Sequence, residues 1–232
     1  MAYFTIEEKP ACLIVRFHAP DSGNALSLAV ACELGALPSR FKKSRKPVIV
    51  TSSHPKLFCS GGNLSDYAKL KGKAPGLKIN REIQKHLEKF AAWPVVKMAV
   101  IEGDVFGGGM EWLGYFDCRW ASPYARFGFW QKRIGLSPGW GGGAKWAVRI
   151  GEYAVRSLLV EGRLMGSGEA YHHGLVDRVV SSWKILEDAE RWCSKLQGEE
   201  PALLSWNVKS ESKLFAKLWL GPAHGAILKR WK

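Results

Sequence analysis

Short apolar strands that alternate with helices are the feature that most constrains this fold. Residues 47–51 form a wholly apolar, largely β-branched run, and residues 95–102 form a second strand of the same buried kind. A loop and a helical segment follow each strand, whereas only helices are predicted after residue 183. This alternation predicts an α/β architecture in which loops at the strand ends carry the functional site.

The complete prediction contains six strands and eight helices, with no internal repeat and no long linker. The predicted strands are 11–18, 47–51, 95–102, 118–121, 127–129 and 176–180, with a strand or turn at 161–165. The predicted helices are 24–37, 79–92, 111–116, 143–159, 167–173, 185–196, 202–218 and 223–232. We predict loops over 52–62 and 134–143, and a mobile lysine-rich segment over 64–77. The pattern divides the chain into a core over 1–182 and a C-terminal helical region over 183–232.

The charge balance favours an anionic partner. The 232 residues contain 34 Lys and Arg against 21 Asp and Glu, a net charge of +13, within an otherwise ordinary globular composition. Nucleic acid, an acidic membrane and a phosphorylated small molecule would all suit this charge. No apolar run reaches the roughly 18 residues of a membrane-spanning helix. The N-terminus also lacks a basic secretory signal, so we expect a cytoplasmic protein without a membrane partner.

The cysteine pattern argues against disulfides and against metal. Five cysteines are widely spaced without a Cys-x-x-Cys pair, which indicates a reducing compartment. Each is predicted to be a small buried apolar residue, and Cys59 is a weak candidate nucleophile because no His and acid accompany it. His172 and His173 would point apart on a helix. We therefore predict no metal site.

Two glycine-rich turns concentrate the candidate chemistry. The first glycine turn, residues 58–64, and the second glycine turn, residues 107–111, each come after a buried strand. Neither matches a phosphate-binding signature. Glycines leave backbone N–H groups accessible, and the second turn opens a helix whose N-terminus stabilises negative charge. Two such turns that donate to one oxygen would form an oxyanion hole, and close backbone packing is the alternative.

These motifs, in their order along the chain, resemble the enoyl-CoA hydratase/isomerase, or crotonase, superfamily. The resemblance covers nearly the whole sequence. It rests on NALS at 24–27, KLFCSGGNL at 56–64, EGDVFGGGME at 102–111, DCRWA at 117–121, IGLSPGWGG at 134–142 and GLVD at 174–177.

The resemblance implies a fold, a site and an assembly. The implied fold is a crotonase-like spiral of ββα units with a C-terminal helical region that builds homotrimers or hexamers. Gly62 and Gly108 would donate the two oxyanion N–H groups to a thioester carbonyl. The residues implied to line the coenzyme A path are Asn24, Ala25, Leu26, Ser60, Asn63 and Leu64. No permanently bound cofactor is expected, since coenzyme A arrives as part of the substrate.

The acid positions separate the possible reactions. Hydratases of this family use two glutamates, and the matching positions here hold Glu111 and Gln131. Gln131 cannot transfer a proton near neutral pH. Decarboxylation of a malonyl-type acyl-CoA needs only the oxyanion hole and one proton donor. The WGGG stretch at 140–143 and the segment 218–224 also resemble the branch that contains ethylmalonyl-CoA decarboxylases. We therefore predict a decarboxylase.

Several alternatives remain open. Glu111 could cap its own helix, and Gln131 could be a polar core residue. Trp130 and Trp140 are predicted to line the substrate pocket, although aromatic residues also dominate cores. An enoyl-CoA hydratase or isomerase with one glutamate is the alternative reaction. A nucleic-acid-binding or non-catalytic homologue is the alternative class, but dispersed basic clusters and the lack of a recognition motif make nucleic acid unlikely as a partner.

Overall fold

A large and a small sheet form the centre of the computed structural model, which describes residues 2–181, 183–196, 211–219 and 221–229. The strands are β1 Phe4–Glu8, β2 Leu13–Phe17, β3 Ala25–Leu26, β4 Val48–Ser52, β5 Leu57–Cys59, β6 Gly61–Gly62, β7 Lys97–Ile101, β8 Asp104–Phe106, β9 Cys118–Ala121, β10 Arg126–Gly128, β11 Met165–Gly166 and β12 Arg178–Val179. The helices are α1 Leu28–Arg40, α2 Leu64–Ala68, α3 Lys73–Ala91, α4 Gly108–Leu113, α5 Gly142–Ile150, α6 Glu152–Glu161, α7 Ser167–His172, α8 Ile185–Lys195, α9 Glu211–Leu218 and α10 Pro222–Lys229, with 3₁₀ turns at Pro20–Ser22 and Trp130–Ile134.

The sheet order confirms the predicted α/β architecture. The large sheet runs β1-β2-β4-β7-β9-β12, in which β1 is antiparallel to β2 and the other described pairs are parallel. The small sheet runs β11-β10-β8-β5, and β3 pairs with β6 separately. The strands β4, β7 and β9 are each followed by a strand of the small sheet and then by a helical segment. This ββα repetition brings the ends of β5 and β8 together.

Burial on both faces explains why the central strands are so apolar. In β2, Leu13 and Val15 face one hydrophobic cluster, whereas Ile14 faces another. The second cluster includes Ile185 and Ala189 of α8, which lie four residues apart and therefore on one helix face. A parallel sheet covered on both sides needs apolar residues at every position.

Three of the predicted element boundaries are wrong. The helix predicted from residue 24 begins at Leu28, because Ser27 caps it by accepting a hydrogen bond from the Val30 N–H at 3.2 Å. The segment 64–77, for which no helix was predicted, contains α2 and the first turn of α3, and its mobility stays a prediction. The helix predicted over 143–159 is divided at Gly151, whose φ of +86° interrupts helical geometry.

Other differences are smaller. The strand β1 was not predicted, and the loops predicted at 52–62 and 134–143 contain β5, β6 and the start of α5. Cys32 is exposed rather than buried, and Cys118 is half-buried. The helices predicted at 202–218 and 223–232 lie partly outside the described residues.

Internal contacts divide the chain into two units, Met1–Ser194 and Lys195–Lys232. Within the second unit, the rings of Phe215 and Trp219 lie 5.4 Å apart. The core boundary at 182 and the assembly into trimers or hexamers stay predictions. Across the described ranges, no helix is both long and apolar enough to cross a membrane.

The GLVD motif has a structural function in this fold. Asp177 accepts hydrogen bonds from the Arg119 backbone N–H at 2.7 Å and from its guanidinium at 3.2 Å. The Arg119 side chain is 3% exposed and also donates to the carbonyls of Leu113 and Phe116. Asp177 therefore compensates a buried cation that joins β9 to the end of α4.

We expect Asp177→Ala to lower the free energy of unfolding by about 3 kcal/mol, because it leaves the buried guanidinium without its counter-charge. Urea denaturation measures this change. Glu152→Ala is the matched control, since it breaks an exposed pair with Arg156 and should change stability little. Equal effects of the two substitutions would contradict the structural function of Asp177.

Candidate active site

The two glycine turns meet at one edge of the small sheet. The strands β5 and β8 are parallel neighbours, so the turns that follow them lie side by side. A Cβ placed on Gly61 would lie 3.1 Å from the Phe106 carbonyl oxygen and 3.4 Å from the Gly108 nitrogen. Gly61 and Gly107 have φ values of +115° and +50°, which favour glycine. The two backbones therefore lie close enough for both turns to face one oxygen, as the predicted oxyanion hole would need.

A cavity of about 410 Å³ opens beside both turns and is called the site cavity below. Six of the site residues predicted from sequence line it. The lining residues are Gly62, Leu64, Tyr67, Leu70, Gly72, Lys73, Gly76, Leu77, Asn80, Gly108, Glu111, Gln131, Ile134, Leu136, Ser137, Gly139 and Trp140.

Glu111 presents a buried carboxyl group to the site cavity. It lies on α4, one turn after Gly108, and is 3% exposed. Its oxygens accept hydrogen bonds from the backbone N–H groups of Trp140 at 2.8 Å, Gly139 at 3.1 Å and Gly142 at 3.3 Å. Burial raises the pKa of the Glu111 carboxyl, and these N–H groups offset part of the rise. The group can therefore hold a proton at a higher pH than an exposed glutamate.

Gln131 lies beside Glu111 and keeps one polar atom unpaired. It is 6% exposed, and its Nε2 donates to Glu111 Oε1 at 3.5 Å. Its Oε1 is buried and has no hydrogen-bond partner among the described residues. An acceptor that is buried without a donor is costly, so this atom is suited to a donor that enters the site cavity.

Trp140 forms a wall across both glycine turns. A Cβ on Gly108 would lie 2.3 Å from Trp140 Cζ3, and a Cβ on Gly62 would lie 3.3 Å from Cη2 of the same ring. Trp140 Nε1 donates to Asn80 Oδ1 at 3.1 Å, and the Tyr67 hydroxyl donates to that oxygen at 2.7 Å. Sequence analysis missed Asn80 and Tyr67, because Tyr67 fell in the segment predicted to be mobile and Asn80 carries no motif.

Comparison with known proteins identifies the family. The model of the enoyl-CoA hydratase/isomerase family matches residues 7–213. The chain belongs to this family. Two solved members that share its fold are the enoyl-CoA hydratase of Bacillus anthracis, with a TM-score of 0.85 and 23% identity over 96% of this chain and 92% of that one, and the enoyl-CoA hydratase of Mycobacterium smegmatis, with a TM-score of 0.87 and 19% identity over 99% and 97%.

Two relatives found by sequence similarity carry the name ethylmalonyl-CoA decarboxylase. Ethylmalonyl-CoA decarboxylase of Gallus gallus is 30% identical over 192 residues, which make up 75% of this chain and 64% of that protein. The Danio rerio protein of the same name is 28% identical over 240 aligned positions, which cover 94% of this chain and 79% of that protein. The chain thus spans less than two thirds of the length of the Gallus gallus relative.

Five residues that the family resemblance placed on the coenzyme A path lie outside the lining of the site cavity, namely Asn24, Ala25, Leu26, Ser60 and Asn63. Asn24 is fully buried, and its Oδ1 accepts from the Ala19 N–H at 2.7 Å. In β3, Ala25 and Leu26 pair with Gly61 and Gly62. These contacts help to hold the first glycine turn in place. Contacts between the five residues and coenzyme A stay a prediction.

Two further candidates from the sequence, Trp130 and Cys59, lie outside the lining of the site cavity. Trp130 does not line the site cavity but stacks on Phe106 with ring centroids 4.0 Å apart. Cys59 is fully buried, and burial raises the pKa of its thiol to about 12, which is unsuited to a nucleophile. Searching the described part of the chain finds no group of three or more His, Cys, Asp or Glu that could hold a metal ion.

Proposed function

We propose that this chain binds an acyl-CoA thioester and removes the carboxyl group of a malonyl-type acyl chain as CO₂. The observation that carries the proposal is a single buried, protonatable carboxyl, Glu111, beside two glycine turns that meet. Gln131 occupies the neighbouring position, where it can donate or accept a hydrogen bond but cannot transfer a proton.

The reaction uses two stages. The thioester carbonyl oxygen accepts hydrogen bonds from the Gly62 and Gly108 N–H groups. The bond between the α-carbon and the carboxylate breaks, and its electron pair moves into an enolate on that oxygen while CO₂ leaves. Each oxyanion donor contributes roughly 3–4 kcal/mol in other enzymes. Glu111 then protonates the α-carbon, and solvent returns the proton to Glu111.

Hydration is the less favoured reaction because it requires more proton transfer from the two acid positions. In hydration, one group takes a proton from water and a proton is delivered to the α-carbon. The two glutamates of hydratases share these two proton transfers. Here the second position holds Gln131, whose Oε1 has no partner in the described structure. Relatives called ethylmalonyl-CoA decarboxylase also support decarboxylation, whereas the solved hydratases support the fold alone.

Mass spectrometry of purified protein mixed with two sets of thioesters tests the proposal. We expect malonyl-type acyl-CoAs to lose the mass of one CO₂ and enoyl-CoAs to remain unchanged. Heat-denatured protein is the control for spontaneous decarboxylation. A gain of one water on the enoyl-CoAs, without CO₂ loss from the malonyl-type set, would establish the hydratase alternative instead.

We expect kcat for CO₂ release to fall as pH rises through the pKa of Glu111. That pKa lies above the ordinary carboxyl value of 4.5 because the group is buried. The protonated form is the proton donor, so activity is retained below this pKa and lost above it. A pH–rate profile measures the fall, and Glu111→Gln should remove this titration. A profile that rises with pH through the same range would contradict proton donation by Glu111.

A further inference from the structure

We propose that Trp140 restricts the acyl group to a short chain and that Asn80 holds the indole in the position that does so. The inference rests on the proposed binding of an acyl-CoA thioester. It adds a specificity-determining residue, Trp140, and a positioning residue, Asn80, to that site.

The first step is where the ring lies. Its Cζ3 and Cη2 atoms would be 2.3 Å and 2.6 Å from a Cβ on Gly108, and Cζ2 and Cη2 would be 3.3 Å from a Cβ on Gly62. The ring therefore packs directly against both glycines. A thioester oxygen between their N–H groups places the first acyl carbons beside this ring, so the indole occupies space that a longer chain needs.

The second step is that the ring is held in place from several sides. Nε1 donates to Asn80 Oδ1 at 3.1 Å, and the same oxygen accepts from the Tyr67 hydroxyl at 2.7 Å. The Trp140 backbone N–H donates to Glu111 at 2.8 Å, and its carbonyl accepts from the Tyr115 hydroxyl. Trp140 is 4% exposed. A side chain fixed on both its ring and its backbone cannot move aside freely for a bulkier ligand.

The third step is the apolar nature of the rest of the site cavity. Four exposed apolar side chains contribute to its lining, namely Leu64, Leu77, Ile134 and Leu136. Such walls bind acyl carbons without selecting their number. Because the ring is the bulky group against the glycines, it sets the limit on chain length.

Calorimetric binding of butyryl-CoA and octanoyl-CoA tests the inference without requiring turnover. We expect wild-type protein to bind butyryl-CoA at least ~10-fold more tightly, since one methylene in a shaped pocket changes discrimination by roughly 10–200-fold. Trp140→Ala should abolish or reverse that ratio. Trp140→Phe, which keeps a ring but removes the bond to Asn80, should give an intermediate ratio, as should Asn80→Leu. Trp130→Phe is the matched control and should retain the wild-type ratio.

The outcomes separate the two proposals. If wild-type protein binds neither thioester, both the proposed function and this inference fail. If both thioesters bind and Trp140→Ala retains the wild-type ratio, only this inference fails. Should Trp140→Ala not fold, an unchanged ratio in Trp140→Phe and Asn80→Leu would overturn the inference.

Discussion

Glu111→Gln should lower the rate of CO₂ release from a malonyl-type acyl-CoA by about 10²–10⁴-fold, the usual contribution of general acid–base catalysis. The substitution keeps the shape of the side chain and one acceptor oxygen for the Trp140 N–H, but it removes the proton that the α-carbon must receive. Steady-state kinetics should show the loss in kcat, with little change in the affinity for a saturated acyl-CoA.

Two controls distinguish the loss of proton donation from the loss of the structural contacts of Glu111. Gln131→Glu adds a second acid at the neighbouring position and leaves Glu111 in place, so CO₂ release should persist. Thermal unfolding of Glu111→Gln should show that the variant is folded at the assay temperature. If this folded variant retained the wild-type kcat, Glu111 would be no more than an anchor for residues 139–142.

Gly108→Ala has the second largest expected effect, a loss of about 10²–10³-fold in kcat, comparable to losing one oxyanion donor. Gly108 has no positive φ, so the added methyl group is not excluded by its backbone conformation. It would instead lie 2.3 Å from Cζ3 of Trp140. Either the second glycine turn or the ring must move, and the N–H of residue 108 leaves the position that faces the thioester oxygen.

Gly168→Ala is the matched control, because nothing lies within 4 Å of a Cβ at that position in α7. It should leave kcat and KM unchanged. Combining Gly108→Ala with Trp140→Ala makes room for the methyl group and should recover part of the lost kcat. If Gly108→Ala and Gly168→Ala were equally active, the second glycine turn would serve backbone packing and would not donate to the oxyanion.

The central strands of the large sheet could be predicted from sequence because burial on both faces leaves a continuous apolar signal, as in β4 and β7. The edge strand β1 lacks this signal, since most of its residues are not buried. The two-residue strands β3 and β6 could not be predicted, since so short a pair has no periodicity to recognise. The start of α3 was missed because Pro75 and Gly76 read as helix breakers. They lie in its first turn, where backbone N–H groups have no helical partner and proline is tolerated.

The site was predictable where chemistry follows short motifs and not where it depends on distant contacts. The resemblance of short motifs to the family points to Glu111, Gly62 and Gly108, and the structure places all three at one cavity. The backbone groups that hold the Glu111 carboxylate lie 28 to 31 residues further along the chain. The contact of Asn80 with Trp140 joins α3 to the loop before α5, and no local pattern specifies it.

Proton delivery during decarboxylation in D₂O tests the central claim most directly. Purified protein is mixed with a malonyl-type acyl-CoA, and the product is measured by mass spectrometry alongside the Glu111→Gln variant. We predict a product that has lost CO₂ and gained one deuterium at the α-carbon, formed at the wild-type rate only when Glu111 is present. Recovery of intact thioester with wild-type protein, or equal deuterated product with the variant, would contradict the account.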